Sequence, residues 1–233
     1  MGLIFRQLTD KVSNTYTYIF GDSNTNEIAI VDSVHENTDE YLSLIKKNNW
    51  QLKYLIETHL HADHITAVNQ LKNHFVNSVV LLSAKSEVQY KHQKVTERET
   101  LHIGNISMQF IETPGHTPDC ISILVDSNRL LTGDCMFIGS CGRTDFQSGN
   151  NKDMYESLKK IITLPNDVLI YPGHDYKSRF VSTVQEEKIT NKQLLHKSLN
   201  EFENDLNSWN LPPPKKIKES VPANLLGGLM PIS

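Results

Sequence analysis

The stretch THLHADH, residues 58–64, sets His59, His61, Asp63 and His64 within six positions, and all four are side chains that bind metals. Further along, His116 follows FIETPG, Asp134 follows LLTG and His174 follows LIYPG, so each donor stands where a strand-like run gives way to a loop. Loops at strand ends present reactive side chains on a rigid scaffold. Residues i and i+2 of an extended segment point the same way, so His59 and His61 face one site while Asp63 and His64 turn the corner into the next element. His116 and His174 must arrive from distant chain. A single histidine after a strand is most often a hydrogen-bonded structural residue, but HxHxDH with three further strand-end donors is a different pattern. His35, His74, His92, His102 and His196 have no such company and read as ordinary residues. Imidazole and carboxylate without thiolate suit zinc, iron, manganese or nickel, and ligand type alone does not choose among them. Cys135 adjoins Asp134, but neighbours in a strand point to opposite faces, so it is not expected to be a ligand.

Around these donors, TYTYIF (15–20) and EIAIVD (27–32) read as two strands joined by the turn-rich GDSNTN. DEYLSLIKKNN (39–49) carries apolar residues at helical spacing, and YLIET (54–58) runs as a strand into the histidines. In ITAVNQLKNHF (65–75) the residues Ile65, Val68, Leu71 and Phe75 share one face, which predicts a helix there. VVLLSA (79–84), LHIG, ISMQFIE, CISILVD and RLLTGD read as further strands, MYESLKKII (154–162) as a helix, and DVLIYPGHD (167–175) as a strand ending in a histidine. Residues 185–208 are polar and helix-like, and Pro212–Pro214 stop any helix. Strands with interspersed helices, twice over, suggest an α/β arrangement of two sheets flanked by helices, with 1–233 as a single domain and a helical, irregular C-terminal extension from about 185.

A chain of 233 residues buries roughly 70–75% of its unfolded surface and needs no staples. Its formal charge of −4, without a Lys/Arg-dense face, argues against nucleic acid as a partner. No apolar run approaches the ~20 residues that span a bilayer, so no membrane partner is expected. MGLIFRQLTD lacks a secretory pattern, and Arg6 stands where a myristoylation signal wants Ser or Thr. Three cysteines without a CxxC fit a reducing compartment, with the cytoplasm as default.

THLHADH, GHTPDC with His116, TGD with Asp134 and YPGHDY with His174, in this order, resemble the metallo-β-lactamase superfamily, whose fold is an αββα sandwich of two mixed sheets with metal at their edge. Within it the chain resembles the persulfide dioxygenases through ETHLHADHIT, SCGRTDFQSGN (140–150), YPGHDY (171–176), VSTVQEEK (181–188) and VPAN (221–224), over about Phe5 to Asn224. Two departures stand out: DSVHEN (32–37) where Asp-Pro-Val is usual, and Gly173 in place of a common Ala.

The resemblance implies one Fe(II) per chain held by His59, His116 and Asp134, a facial triad with positions left for water, O2 and substrate. The implied reaction converts glutathione persulfide and O2 to sulfite and glutathione. His61, Asp63, His64 and His174 become supporting residues around the ligands or a vacant second metal site. Arg143, Tyr171 and Thr117 are implied to line the glutathione site, the guanidinium pairing with a tripeptide carboxylate. A structural ion pair is the bland alternative for Arg143, and simple packing for Tyr171. Cys141 is expected to pack or modulate rather than act as a nucleophile. A homodimer is expected by analogy alone. The rival is a glyoxalase II-like hydrolase of glutathione thioesters, with His59, His61 and His116 on one metal, Asp63, His64 and His174 on another, and Asp134 bridging. A metal-binding or persulfide-sensing protein without turnover is a third possibility from another class.

Overall fold

The computed structural model describes residues 2–229; Met1 and residues 230–233, which the expected single domain included, lie outside the described residues. The described chain divides into two compact units, one formed by residues 2–95, 101–106 and 212–229, the other by 96–100 and 107–211.

In the first unit, β1 (Leu3–Thr9), β2 (Tyr16–Asp22) and β3 (Glu27–Val31) pair antiparallel in sequence. The expected hairpin between β2 and β3 turns on Asn26, whose φ of 57° an asparagine tolerates better than most residues. Helix α1 (Thr38–Asn48) follows and ends on Asn49 in the left-handed region. Then β4 (Gln51–Ile56), α2 (Val68–His74), β5 (Val79–Ser83) and β6 (Gln93–Val95) extend the sheet with parallel pairings. The order is β1-β2-β3-β4-β5-β6, so the sheet is mixed. Tyr41 and Ile45 of α1 and Val68 and Leu71 of α2 pack on Ile19, Ile28, Ile30 and Leu55 of the strands.

The helix expected over 65–75 is shorter than its apolar face suggested. It begins at Val68, whose N–H donates to Thr66 Oγ1, while Thr66 N donates to the side chain of Asn224. A distant residue thus claims the backbone of Ile65–Thr66, and the loop that carries the histidines is longer than periodicity implied.

Of strand β7 (Thr100–Ile103), Thr100 belongs to the second unit and residues 101–103 to the first. In the second unit β8 (Ile106–Glu112), β9 (Ile121–Val125) and β10 (Arg129–Gly133) pair antiparallel. A small hairpin, β11 (Met136–Phe137) and β12 (Ser140–Cys141), leads to α3 (Asn151–Ile161). That helix starts three residues before the expected Met154 because the side chain of Asn150 caps Asp153 N. Strand β13 (Leu169–Pro172) pairs parallel to β10 and antiparallel to β14 (Ser182–Thr183).

The helix-like run 185–208 is broken into α4 (Val184–Thr190), a 3-10 turn at Lys192–Leu194, and α5 (Leu199–Asn207). Asn191 breaks it: this buried residue donates its amide to Phe137 O and Ser140 O and takes an extended conformation. Met154, Leu158 and Ile161 of α3 form one core with Leu130, Ile170, Val184 and Phe202. The chain then returns to the first unit with α6 (Ile217–Leu225). Among the described residues no helix is long and apolar enough to cross a membrane.

Phe202 is fully buried and its ring centroid lies 5.4 Å from that of Tyr155. Phe202→Ala is expected to lower stability by roughly 3–5 kcal/mol in urea unfolding, with α5 counted as part of the core. A loss below about 1 kcal/mol would mean that α5 is only an appendage.

Candidate metal centre

The first unit holds its donors through Asp32. This residue follows β3 with φ of 53°, a left-handed value that costs a non-glycine residue about 1–3 kcal/mol. Its buried carboxylate is fully used. Oδ1 accepts from Thr58 N at 2.7 Å and from His61 Nε2 at 3.0 Å, and Oδ2 accepts from the Thr58 hydroxyl at 2.9 Å. A hydroxyl has one proton, and Thr58 gives its own to Asp32. Its contact with His59 Nδ1 at 3.0 Å must therefore be donated by the ring. That leaves the lone pair of His59 on Nε2, and by the same logic the lone pair of neutral His61 on Nδ1.

Glu57 approaches the same nitrogen of His61 as Asp32. Oε1 accepts from Thr66 Oγ1 at 2.9 Å and from Ser33 Oγ at 3.3 Å, and Oε2 lies 3.4 Å from His61 Nε2. Burial pushes the Glu57 carboxyl up to about 8. Burial alone would lower His61, but the charge and hydrogen bond of Asp32, then Glu57 and Asp63, outweigh it and lift the imidazole to about 9.

His64 is set by Asp63 and Thr15. The Thr15 hydroxyl donates to Asp63 Oδ2 at 2.9 Å, so His64 Nδ1, 3.0 Å from the same oxygen, is a donor, and Nε2 carries the lone pair. The rings of His59 and His61 lie 4.1 Å apart and those of His61 and His64 4.4 Å. Ligand atoms of Glu57, His61 and His64 fall within 4.8 Å of one another. His61 Nδ1 and His64 Nε2 are buried and have no hydrogen-bond partner. An unpaired buried polar atom costs about 1–3 kcal/mol, which a coordinated cation removes, so these residues fit a metal.

The second unit repeats the device. His116 leaves β8 on a loop and meets Arg143 O through Nδ1 at 2.7 Å; a carbonyl only accepts, so Nε2 carries the lone pair. That nitrogen lies 3.7 Å from Asp134 Oδ2, and two donors about 2.1 Å from one metal stand roughly 3–4 Å apart. Asp134 follows β10, and its other oxygen accepts from His174 Nδ1 at 2.7 Å. The space is tight. A Cβ on Gly142 would lie 2.1 Å from Asp134 O, and one on Gly173 would lie 2.5 Å from Asp134 Oδ1. The Gly173 departure therefore leaves room that the Asp134 carboxylate occupies here.

The guanidinium of Arg143 forks onto Asp145 at 2.6 and 2.7 Å and lies over the Phe146 ring. It borders an open cavity of about 600 Å³ with Lys152, Asn207 and Trp209. Thr117 is buried and donates to Asp119 Oδ1 at 2.6 Å, bracing the His116 loop. Tyr171 sits half-buried on β13, its carbonyl accepting from Thr132. Cys141 packs in the second core, where burial pushes its thiol well above the ordinary range. Cys135 lies in the same core with its thiol pushed up to about 12 by burial, as expected of a non-ligand. All three cysteines are free.

Sequence reading passed over Asp32, Thr58, Glu57 and Asn224. All four stood inside quoted motifs, DSVHEN, ETHLHADHIT and VPAN, but only the fold assigns them partners.

The metallo-β-lactamase superfamily model matches residues 10–174. The human mitochondrial persulfide dioxygenase ETHE1 is 38% identical over 229 residues, 97% of this chain and 89% of its own length. The crystal structure of ETHE1 from Myxococcus xanthus superposes with a TM-score of 0.93 at 40% identity, covering 97% of this chain and 100% of that one. A hydroxyacylglutathione hydrolase of Prochlorococcus marinus is 33% identical over 203 residues, 85% of this chain and 80% of its own length.

The protonated, core-packed thiol of Cys141 makes a specific prediction. Cys141→Ala should keep more than about half of wild-type turnover and show no new metal requirement, since a buried neutral thiol is no nucleophile. Loss of all turnover in a folded, metal-loaded variant would assign the thiol to the chemistry.

Proposed function

Because the chain belongs to the metallo-β-lactamase superfamily and, within it, to the persulfide dioxygenases, we propose that it oxidises glutathione persulfide with O2 at one Fe(II) per chain, held by His59, His116 and Asp134. The observation that carries this is the state of the donors. Thr58 and the Arg143 carbonyl face Nδ1 of His59 and His116, so the lone pair of each imidazole is on Nε2, and His174 donates to Oδ1 of Asp134. Two imidazoles and one carboxylate are the donor set of non-haem iron oxygenases.

When bound, the iron supplies adjacent exchangeable positions and the electrons through which O2 reacts with a closed-shell sulfur. The balance is GSSH + O2 + H2O → GSH + SO3²⁻ + 2 H⁺. Four electrons leave the terminal sulfur for O2, and both dioxygen atoms and the water oxygen end in sulfite. The residues of the chain orient and charge the site. Asp134 offsets one of the two positive charges, leaving a net attraction for a persulfide anion. His174 keeps Asp134 from turning, and Asp32, through Thr58, keeps His59 from turning. Arg143, on its open cavity, is assigned the tripeptide carboxylate, for which it exchanges Asp145; Tyr171 lines the tripeptide, and Thr117 acts through the His116 loop. The three buried free thiols support a reducing compartment, and the cytoplasm is retained as the proposed one.

The unpaired nitrogens of His61 and His64 favour a second reading, a two-metal hydrolase of glutathione thioesters. Metal analysis coupled to O2 uptake separates the two. The proposal expects about one iron per chain, one O2 consumed per sulfite formed from glutathione persulfide, and negligible thioester cleavage. Two zinc ions per chain with thioester cleavage and no O2 uptake would replace it with the hydrolase.

A further inference from the structure

The C-terminal helix α6 contains a side chain that reaches the loop between β4 and α2 from some 160 residues away. Asn224 is 3% exposed, and each of its polar atoms is engaged with that loop. Nδ2 donates to His61 O at 2.9 Å and to His64 O at 2.8 Å, while Oδ1 accepts from Thr66 N at 2.9 Å. The two carbonyls flank Asp63, so one primary amide spans the turn that carries His59, His61, Asp63 and His64.

The loop belongs to no helix or strand, and buried carbonyls without partners are rare. Around Asn224 the segment is fastened at several further points. Gln89 N donates to Leu225 O and Asn69 N to Gly227 O, at 2.8 and 3.0 Å. Gly228 has φ of 90°, and a Cβ there would lie 2.1 Å from Thr66 O, so the backbones meet where only glycine fits. Lys216 pairs with Glu36 at 3.0 Å.

We infer that Asn224 is a positioning residue of the metal centre: it clamps the carbonyls of His61 and His64 and so fixes the turn from which His59 reaches the metal. This rests on the reading that the THLHADH loop carries metal ligands. The clamp acts through backbone, so it touches neither metal nor substrate. Asp32 and Thr58 set which nitrogen of each ring is offered, whereas Asn224 sets where the turn stands.

The decisive variant is Asn224→Asp. It keeps an acceptor for Thr66 N but turns an oxygen toward two carbonyl oxygens. Wild type, Asn224→Asp and Ile45→Ala, a buried core residue of α1, are loaded with zinc, and release to a chelator is timed well below each melting temperature. Amide hydrogen exchange of residues 60–66 is followed in parallel. The inference expects zinc release at least about tenfold faster in Asn224→Asp, with faster exchange confined to the loop. Ile45→Ala, although less stable, should release zinc at the wild-type rate. Equal release from wild type and Asn224→Asp, or acceleration matched by Ile45→Ala, overturns it. Should Asn224→Asp not fold, Asn224→Ser is judged by the same criterion. Neither readout needs turnover, so a protein that retains zinc through Asn224, but whose iron-loaded form consumes no O2 with glutathione persulfide, would sink the dioxygenase proposal and leave this one standing.

Discussion

The carboxylate of Asp32 is the constraint on which the first unit's chemistry depends. It sits at the end of β3 in a backbone conformation that a non-glycine residue adopts at some cost, and it is buried. A buried carboxylate is tolerated when its oxygens are filled by donors, and here these are the Thr58 amide, the Thr58 hydroxyl and the His61 ring. The strain and the burial are offset by the same three hydrogen bonds. In return the sheet edge determines two imidazoles at once, one directly and one through a hydroxyl that has only a single proton to give.

The second unit reaches the same end with different groups. The Arg143 carbonyl accepts a hydrogen bond from Nδ1 of His116, and Asp134 accepts one from Nδ1 of His174. In each case the acceptor comes from a turn after a strand, and each leaves the opposite nitrogen with its lone pair. An imidazole free to rotate would offer its proton to a cation half of the time and lose the entropy of ordering on binding. Rings fixed beforehand avoid both penalties, which is why the residues behind the ligands matter nearly as much as the ligands. The thiols near the site are kept out of this economy by burial, which holds them protonated.

Much of the scaffold was legible because β2 to β5, β7 to β10, β13 and α1 obey simple periodicities, whereas the strands β1, β6 and β14 were not foreseen. Where the reading failed, the cause was long range. The start of α2 moved to Val68 because Asn224 takes the amide of Thr66, and no window of local sequence contains both. The run after residue 184 broke at Asn191, a residue that looks helix-compatible until the carbonyls of Phe137 and Ser140 are seen to need its amide. Helix α6 was hidden by Pro222 within it and by the prolines before it. At the centre, the residue types and their order could be read from the sequence. Which nitrogen each histidine offers could not be, since that is decided by Asp32, Thr15, Thr58, Asp63, Asp134 and a carbonyl, whose proximity only folding creates.

The measurement that tests this most directly is long-range ¹H–¹⁵N correlation NMR on the zinc-loaded protein, which reads the protonated nitrogen of each histidine. A proton is expected on Nδ1, and metal or a lone pair on Nε2, for His59, His64, His116 and His174, and the reverse for His61. A proton on Nε2 of His59 or His116, or rapid averaging of either ring, would contradict the claim that these donors are fixed by the groups behind them.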